Sequence, residues 1–157
     1  MKTEWMGKYR EMVESVIYLC NCSSTGFITP YNYGTDYRIT AREAQVIEYL
    51  LEDTSGNMIS VAARLGVTRG AFSNIVNKLV EKGFLTKERR GDNKKNIYPV
   101  VTPLGQQVYD QYSDFIYKFW FREMFEKADA IPEKYVHAFS EILKDMGKSI
   151  SKMDKSE

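Results

Sequence analysis

Between Val61 and Gly83 the chain reads VAARLGVTRGAFSNIVNKLVEKG, and no other stretch restricts the fold as much. Phe72, Ile75, Val76, Leu79 and Val80 recur at i, i+3, i+4, i+7 and i+8, the spacing of one buried helix face. Thr68 stands where an N-cap hydroxyl would satisfy a free N–H of the first turn. Gly83 stands where a C′ residue would stop the helix in the left-handed conformation. A shorter apolar-patterned helix, from about Ser60 to Leu65, precedes it, and Gly66 makes a tight turn between the two. Two helices joined this way form a helix-turn-helix. The face of the longer helix opposite its stripe holds Arg69, Gly70, Ser73, Asn74, Asn77, Lys78 and Glu81. A solvated surface face would show alternating Glu and Lys. Small, neutral, hydrogen-bonding side chains instead suit base edges and phosphates.

The flanks complete the motif. Upstream, ITAREAQVIEYLLEDTSG carries a capping-box signature, Thr40 with Glu43 three residues on, then a stripe of Ala44, Ile47, Leu50 and Leu51, and a stop at Asp53 to Gly56. Downstream, FLTKERRGDNKKNIYPVV reads as strands Phe84–Thr86 and Ile97–Val101 around a polar hairpin tip. Pro99 confines the second strand to an edge. Helix-turn-helix followed by a basic hairpin is a winged helix. The expected fold is therefore mainly α with a small two- to three-stranded β wing, the winged helix-turn-helix being flanked by N- and C-terminal dimerisation helices.

Outside this centre, Trp5, Tyr9, Met12, Val13, Val16, Ile17 and Cys20 predict a helix from Lys2 to about Cys22. A loop with Tyr31, Tyr33 and Tyr37 follows. After Thr102 as cap and Pro103 at the first helical position, Val108, Tyr112, Phe115 and Phe119 run down one face, widened by Trp120 and Phe121. DAIP interrupts, and Tyr135, Phe139, Ile142 or Leu143, Met146, Ile150 and Met153 continue at near-heptad spacing. A small winged helix does not need these helices. They read as a dimerisation layer, or as caps on the monomer. The expected division is 1–38 and 103–157 for dimerisation around a DNA-binding domain at 39–102.

Charge supports this reading by its distribution. The chain of 157 residues has a formal net charge of only +1, yet eight basic and three acidic residues fall between Arg69 and Lys95. The remainder holds fourteen basic and eighteen acidic ones. A basic centre on a mildly acidic body is a localised electrostatic footprint. The charged N-terminus lacks the apolar core of a signal peptide, and no apolar run approaches bilayer length, so a cytoplasmic protein without membrane contact is expected. No cofactor is expected. The single histidine, His137, sits in the last amphipathic helix. Metal-ligand spacing, G-x-S-x-G and a phosphate-binding glycine loop are all missing from the sequence, which argues against an enzyme.

Taken together, ITAREAQVIEYL, VAARLGVTRGAFSNIVNKLVEKGFL, ERRGDNKKNIYPVVT and TPLGQQVYDQ resemble the MarR family of transcriptional regulators. Val61, Ala62, Leu65, Gly66, Val67, Thr68, Ser73, Ile75, Val76, Leu79, Gly83, Thr102 and Gly105 stand at matching places, and the resemblance covers about Ile39 to Asp110. Three positions depart from it: Gly70 replaces the usual Ser or Thr, Asp92-Asn93-Lys94 replaces Asp-x-Arg in the wing, and Pro103 replaces an acidic residue. Lysine lacks arginine's bidentate fork, so contacts at the wing tip differ from the family's.

The resemblance implies a homodimer on pseudo-palindromic double-stranded DNA, commonly as a repressor. Recognition helices would enter major grooves and wings the flanking minor grooves. Arg69, Gly70, Ser73, Asn74 and Asn77 would face base edges and nearby phosphates, with Thr68 and Lys78 at the backbone. Arg89, Arg90, Lys94 and Lys95 would serve the wing, with Asp92 orienting one of them. It further implies a small aromatic or phenolic effector. Tyr18, Tyr31, Tyr33, Tyr37, Tyr49 and Tyr112 would line its site, with Arg38 or Arg42 as counter-charge, although aromatic residues at helical spacing usually build core. Some relatives sense oxidants through a first-helix cysteine. Here Cys20 and Cys22 sit at that helix's end, so an inert thiol is the plainer reading and a thiol-based redox sensor an alternative. The other alternative is a winged helix serving only protein–protein interaction, which would not need the wing's basic cluster.

Overall fold

The computed structural model describes residues 4–26, 28–53, 58–89 and 97–153. A 3-10 segment, Glu4–Tyr9, leads into α1 (Arg10–Gly26). The helix expected from Lys2 is broken because Gly7 takes φ 48°, and it runs beyond Cys22. Then come α2 (Ala41–Glu52), α3 (Met58–Leu65), α4 (Arg69–Glu81), β1 (Leu85–Arg89), β2 (Ile97–Val101) and α5 (Pro103–Ile116). A π-helical turn, Tyr117–Phe121, links α5 to α6 (Arg122–Ala128), and α7 (Glu133–Met153) follows. No helix among the described residues is long and apolar enough to cross a membrane.

Local chemistry sets most of these boundaries. The Glu43 N–H donates to Thr40 Oγ1 at 3.0 Å while the Thr40 N–H donates to Glu43 Oε2 at 2.8 Å, a complete capping box. Thr68 Oγ1 accepts from the Ala71 N–H at 3.2 Å. At the far end of α4, Gly83 takes φ 75°, its N–H donates to Val80 O, and the Phe84 N–H donates to Leu79 O, both at 2.9 Å. This is the Schellman pattern, and it turns Phe84 into the core rather than into a strand.

β1 and β2 pair antiparallel from Leu85↔Val101 to Arg89↔Ile97. The first strand thus begins one residue later and runs three residues further than its sequence pattern predicts. Lys87, Glu88 and Arg89 hide it from an apolar-alternation reading, and only the partner strand reveals it. The wing is two-stranded among the described residues, and its expected tip lies outside them. Thr102 ties the hairpin to α5. Its hydroxyl donates to Gly83 O at 2.7 Å and accepts from the Gly105 N–H at 3.0 Å. A Cβ at Gly105 would lie 2.1 Å from Phe84 O, so only glycine permits this approach.

The core joins α2, α3, α4, the hairpin base and α5. Phe72, Phe84, Ile39, Ile47, Leu79, Leu85, Val46 and Val108 are its largest fully buried side chains. α2 is covered on more than its predicted stripe, since Val46 and Glu43 are buried as well. Glu43 is held by Lys82, whose Nζ lies 2.8 Å and 2.9 Å from the two carboxylate oxygens and 3.1 Å from Arg38 O. That contact fastens the end of α4 to the start of α2.

Candidate nucleic-acid interface

α4 is driven into the core by Phe72, Val76 and Leu79, which leaves a defined outer surface. Thr68, Arg69, Gly70, Asn74, Asn77 and Lys78 are exposed, and Ser73 is half-buried. Asn74 and Asn77 form a ridge with Gly70 and Glu81, because steps of three and four residues return to one side of a helix. A Cβ at Gly70 would meet nothing within 4 Å, so packing does not require glycine there.

The wing stands beside this ridge. Side chains alternate along a strand, so Leu85, Lys87 and Arg89 share one face of β1. Leu85 is in the core and the other two are exposed. Lys87 Nζ donates to Asn77 Oδ1 at 2.8 Å. The carbonyl end of Asn77 is therefore committed to the wing, and its NH2 is the end left to act as a reader. Lys87 was absent from the expected contact residues. Its signal was the Leu85-Lys87-Arg89 alternation, which becomes visible only once the strand is known to reach Arg89. Arg90, Asp92, Lys94 and Lys95 lie outside the described residues.

Several surface cations are neutralised by neighbours, and those of α4's outer face are not. Arg10, Arg64, Arg122, Lys127, Lys144 and Lys148 each pair with an acidic side chain. Arg69 and Lys78 have no ion pair among the described residues. Their charge is thus available to an outside anion.

The aromatic residues expected around an effector are dispersed. Tyr33 is buried and meets Tyr31, Tyr112, Phe115 and Trp120 edge-on or nearly so, with ring centres 5.1–5.8 Å away for the last three and 5.3 Å for Tyr31. Burial pushes the Tyr33 phenol up, with the Tyr31 phenol adding to the shift, and it pushes the Tyr112 phenol up further. The π-helical turn inserts one residue into the predicted stripe and so brings Trp120, rather than Phe119, onto Tyr33. Tyr37 instead packs on Phe84 at 5.3 Å. Tyr49 carries the Arg64 guanidinium 3.8 Å above its ring, and Arg64 also bonds Glu52. The Arg38 guanidinium donates to Pro30 O at 2.9 Å. Tyr18 lies on exposed α1, its phenol pushed up chiefly by hydrogen bonding with Cys22. Only Tyr31, Tyr33 and Tyr112 of the expected set come together. Cys20 and Cys22 are free, exposed thiols. Among the described residues no group of three His, Cys, Asp or Glu side chains is placed to hold a metal ion.

Known proteins match this architecture. Residues 39–95 fit the MarR_2 model, described as MarR family. An uncharacterized HTH-type transcriptional regulator, YhjH of Bacillus subtilis (strain 168), is 30% identical over 77 residues. The match spans 49% of this chain and 44% of that relative, less than half of its length. The transcriptional regulator BldR from Sulfolobus solfataricus superposes with a TM-score of 0.67 at 18% identity, covering 92% of this chain and 99% of its own. ZitR of Lactococcus lactis, solved in complex with DNA, superposes with a TM-score of 0.65 at 13% identity over the same shares. The two solved structures share the fold, and the family model coincides with the segment whose caps, turn and hairpin are described above, so that residues 39–95 of this chain are similar to the MarR family of transcriptional regulators.

Proposed function

We propose that the protein is a sequence-specific double-stranded-DNA-binding transcriptional regulator that acts as a homodimer on a pseudo-palindromic operator. The observation that carries this reading is the α4 ridge. Neutral hydrogen-bonding side chains stand there beside two cations, Arg69 and Lys78, that have no ion pair among the described residues. In this reading α4 enters the major groove. Arg69, Ser73 and Asn74 read bases, as does the NH2 of Asn77. Thr68 and Lys78 hold phosphates, and the wing, with Arg89 and the basic residues beyond it, follows the flanking minor groove. The terminal helices, 1–38 and 103–157, join two copies and set the spacing of two half-sites. Repression, a cytoplasmic location and a non-enzymatic role belong to the same reading. A small aromatic effector would meet the protein beside the Tyr31–Tyr33–Tyr112 cluster, and quenching of Trp120 fluorescence on titration with a phenolic acid would report it.

The test is binding of purified protein to sheared DNA from its own upstream region across a salt series, with sizing of the complex. A dimer with a steep negative salt slope and a preferred fragment is expected. Arg69→Ala or Asn74→Ala should cost about 1–3 kcal/mol at one base position. Arg89→Glu should abolish DNA binding. Retention of partner binding together with indifference to DNA would instead favour an interaction module.

A further inference from the structure

On the flank of α4 that faces the first turn of α2 lies a concavity of about 290 Å³, lined by Ile28, Thr40, Arg42, Asn74, Ile75 and Lys78 among others. Two cations from two different helices border it, Arg42 and Lys78, and both are exposed. The acidic group nearest in the lining is Glu43. Its carboxylate is already engaged, by Lys82 Nζ at 2.8 Å and 2.9 Å and by the Thr40 N–H at 2.8 Å. The Thr40 hydroxyl is likewise used, accepting from the Glu43 N–H. Glu43 and Lys82 thus cancel within the fold. Arg42 and Lys78 have no ion pair among the described residues. The concavity therefore holds two uncompensated positive charges, with Ile28, Ala71 and Ile75 as the apolar part of its lining.

We propose that this concavity is a phosphodiester-binding site, in which Arg42 of α2 and Lys78 of α4 bracket one backbone phosphate of the DNA whose major groove α4 occupies. The inference rests on the DNA-binding reading and adds to it a contact from outside the helix-turn-helix. A phosphate at the rim of the groove meets the flank of an inserted helix, not its ridge, and Lys78 projects from that flank one helical turn beyond Asn74. Arginine suits the role because its planar fork can engage two phosphate oxygens at once. The site fixes register and carries no base preference.

The experiment compares the unsubstituted protein, R42Q, K78Q, R42K and the double variant R42Q/K78Q on the preferred duplex and on a scrambled one, across a salt series. Arg42 and Lys78 are exposed and unpaired, so unchanged thermal melting should verify each variant's fold. R42Q is expected to weaken binding to both duplexes equally. R42Q should also flatten the slope of log K against log salt in part, because Lys78 still holds the phosphate, and the double variant should flatten it by about 0.9, the value of one released phosphate contact. R42K should recover most of the slope that R42Q loses. The double variant should lose less affinity than the two single losses combined, because both cations hold one group. A methylphosphonate at the contacted position should make the unsubstituted protein bind like the double variant. An R42Q variant that keeps the full slope, or losses that simply add, would overturn the shared site while leaving DNA binding by α4 intact. Inorganic phosphate alone, titrated by calorimetry, tests for a free anion. Micromolar binding that needs Arg42 and competes with DNA would overturn the assignment to the backbone. No binding of the unsubstituted protein to any duplex would overturn this inference and the reading beneath it together.

Discussion

The middle and the ends of this chain follow the same amphipathic rule with opposite outcomes. From Ile39 to Val108 every predicted stripe finds cover inside the chain, and the largest fully buried side chains all lie there. In α1, with the 3-10 segment that leads into it, and in α7 the stripes stay largely in solvent. Trp5 is 72% exposed, Ile17 52%, Phe139 43% and Ile150 55%. Periodicity thus says which face of a helix seeks burial and not where the burial comes from. α1 and α7 have 17 and 21 residues, and helices of that size owe most of their stability to packing of an apolar face. Apolar faces that large, left open by a chain's own fold, commonly mark interaction surfaces in proteins. A second copy is the occupant in the proposed function.

The contrast can be broken most directly at Phe72. Phe72→Ala should destabilise the winged helix by about 3–5 kcal/mol, since the ring is fully buried. Urea unfolding would measure it, and a loss below about 1 kcal/mol would mean that the central core is looser than its burial implies. Gly105→Ala tests the join between hairpin and α5. The new Cβ has no room beside Phe84 O, and a loss of about 1–3 kcal/mol in thermal unfolding is expected. Phe139→Glu tests the ends. It should leave the unfolding of the central core nearly unchanged and weaken self-association by about 2 kcal/mol, the scale of an interface anchor. Sedimentation at several concentrations would show the monomer, and an unaltered dimer would place the interface elsewhere. The smallest effect is at Gly70. Gly70→Ala should raise stability by up to about 1 kcal/mol, because helical glycine is unfavourable and the site is open. If the missing side chain serves close approach to DNA, the same variant should bind its operator more weakly. Tighter or equal binding would remove Gly70 from the interface.

The sequence by itself determined the caps and the turn. Thr40 with Glu43, Thr68, Thr102 and Gly83 behave as their types and spacings require. Each closes hydrogen bonds within a few residues, so nothing distant is needed to specify them. The exposed face of α4 was legible for the same reason, since the position of its apolar stripe fixes what remains outside. Tertiary structure alone decided the rest. Lys82 reaches Glu43 across 39 residues, and Lys87 takes the carbonyl of Asn77 across ten. The pairing of β1 with β2 carries the strand on to Arg89. The π-helical turn re-aims the aromatic stripe of α5 toward Tyr33, where Tyr31 and Tyr112 meet it in ring contact. These outcomes depend on register and on which surfaces meet. Such facts arise from contacts between segments far apart in the chain, where local propensity carries no information and packing selects among many compatible arrangements.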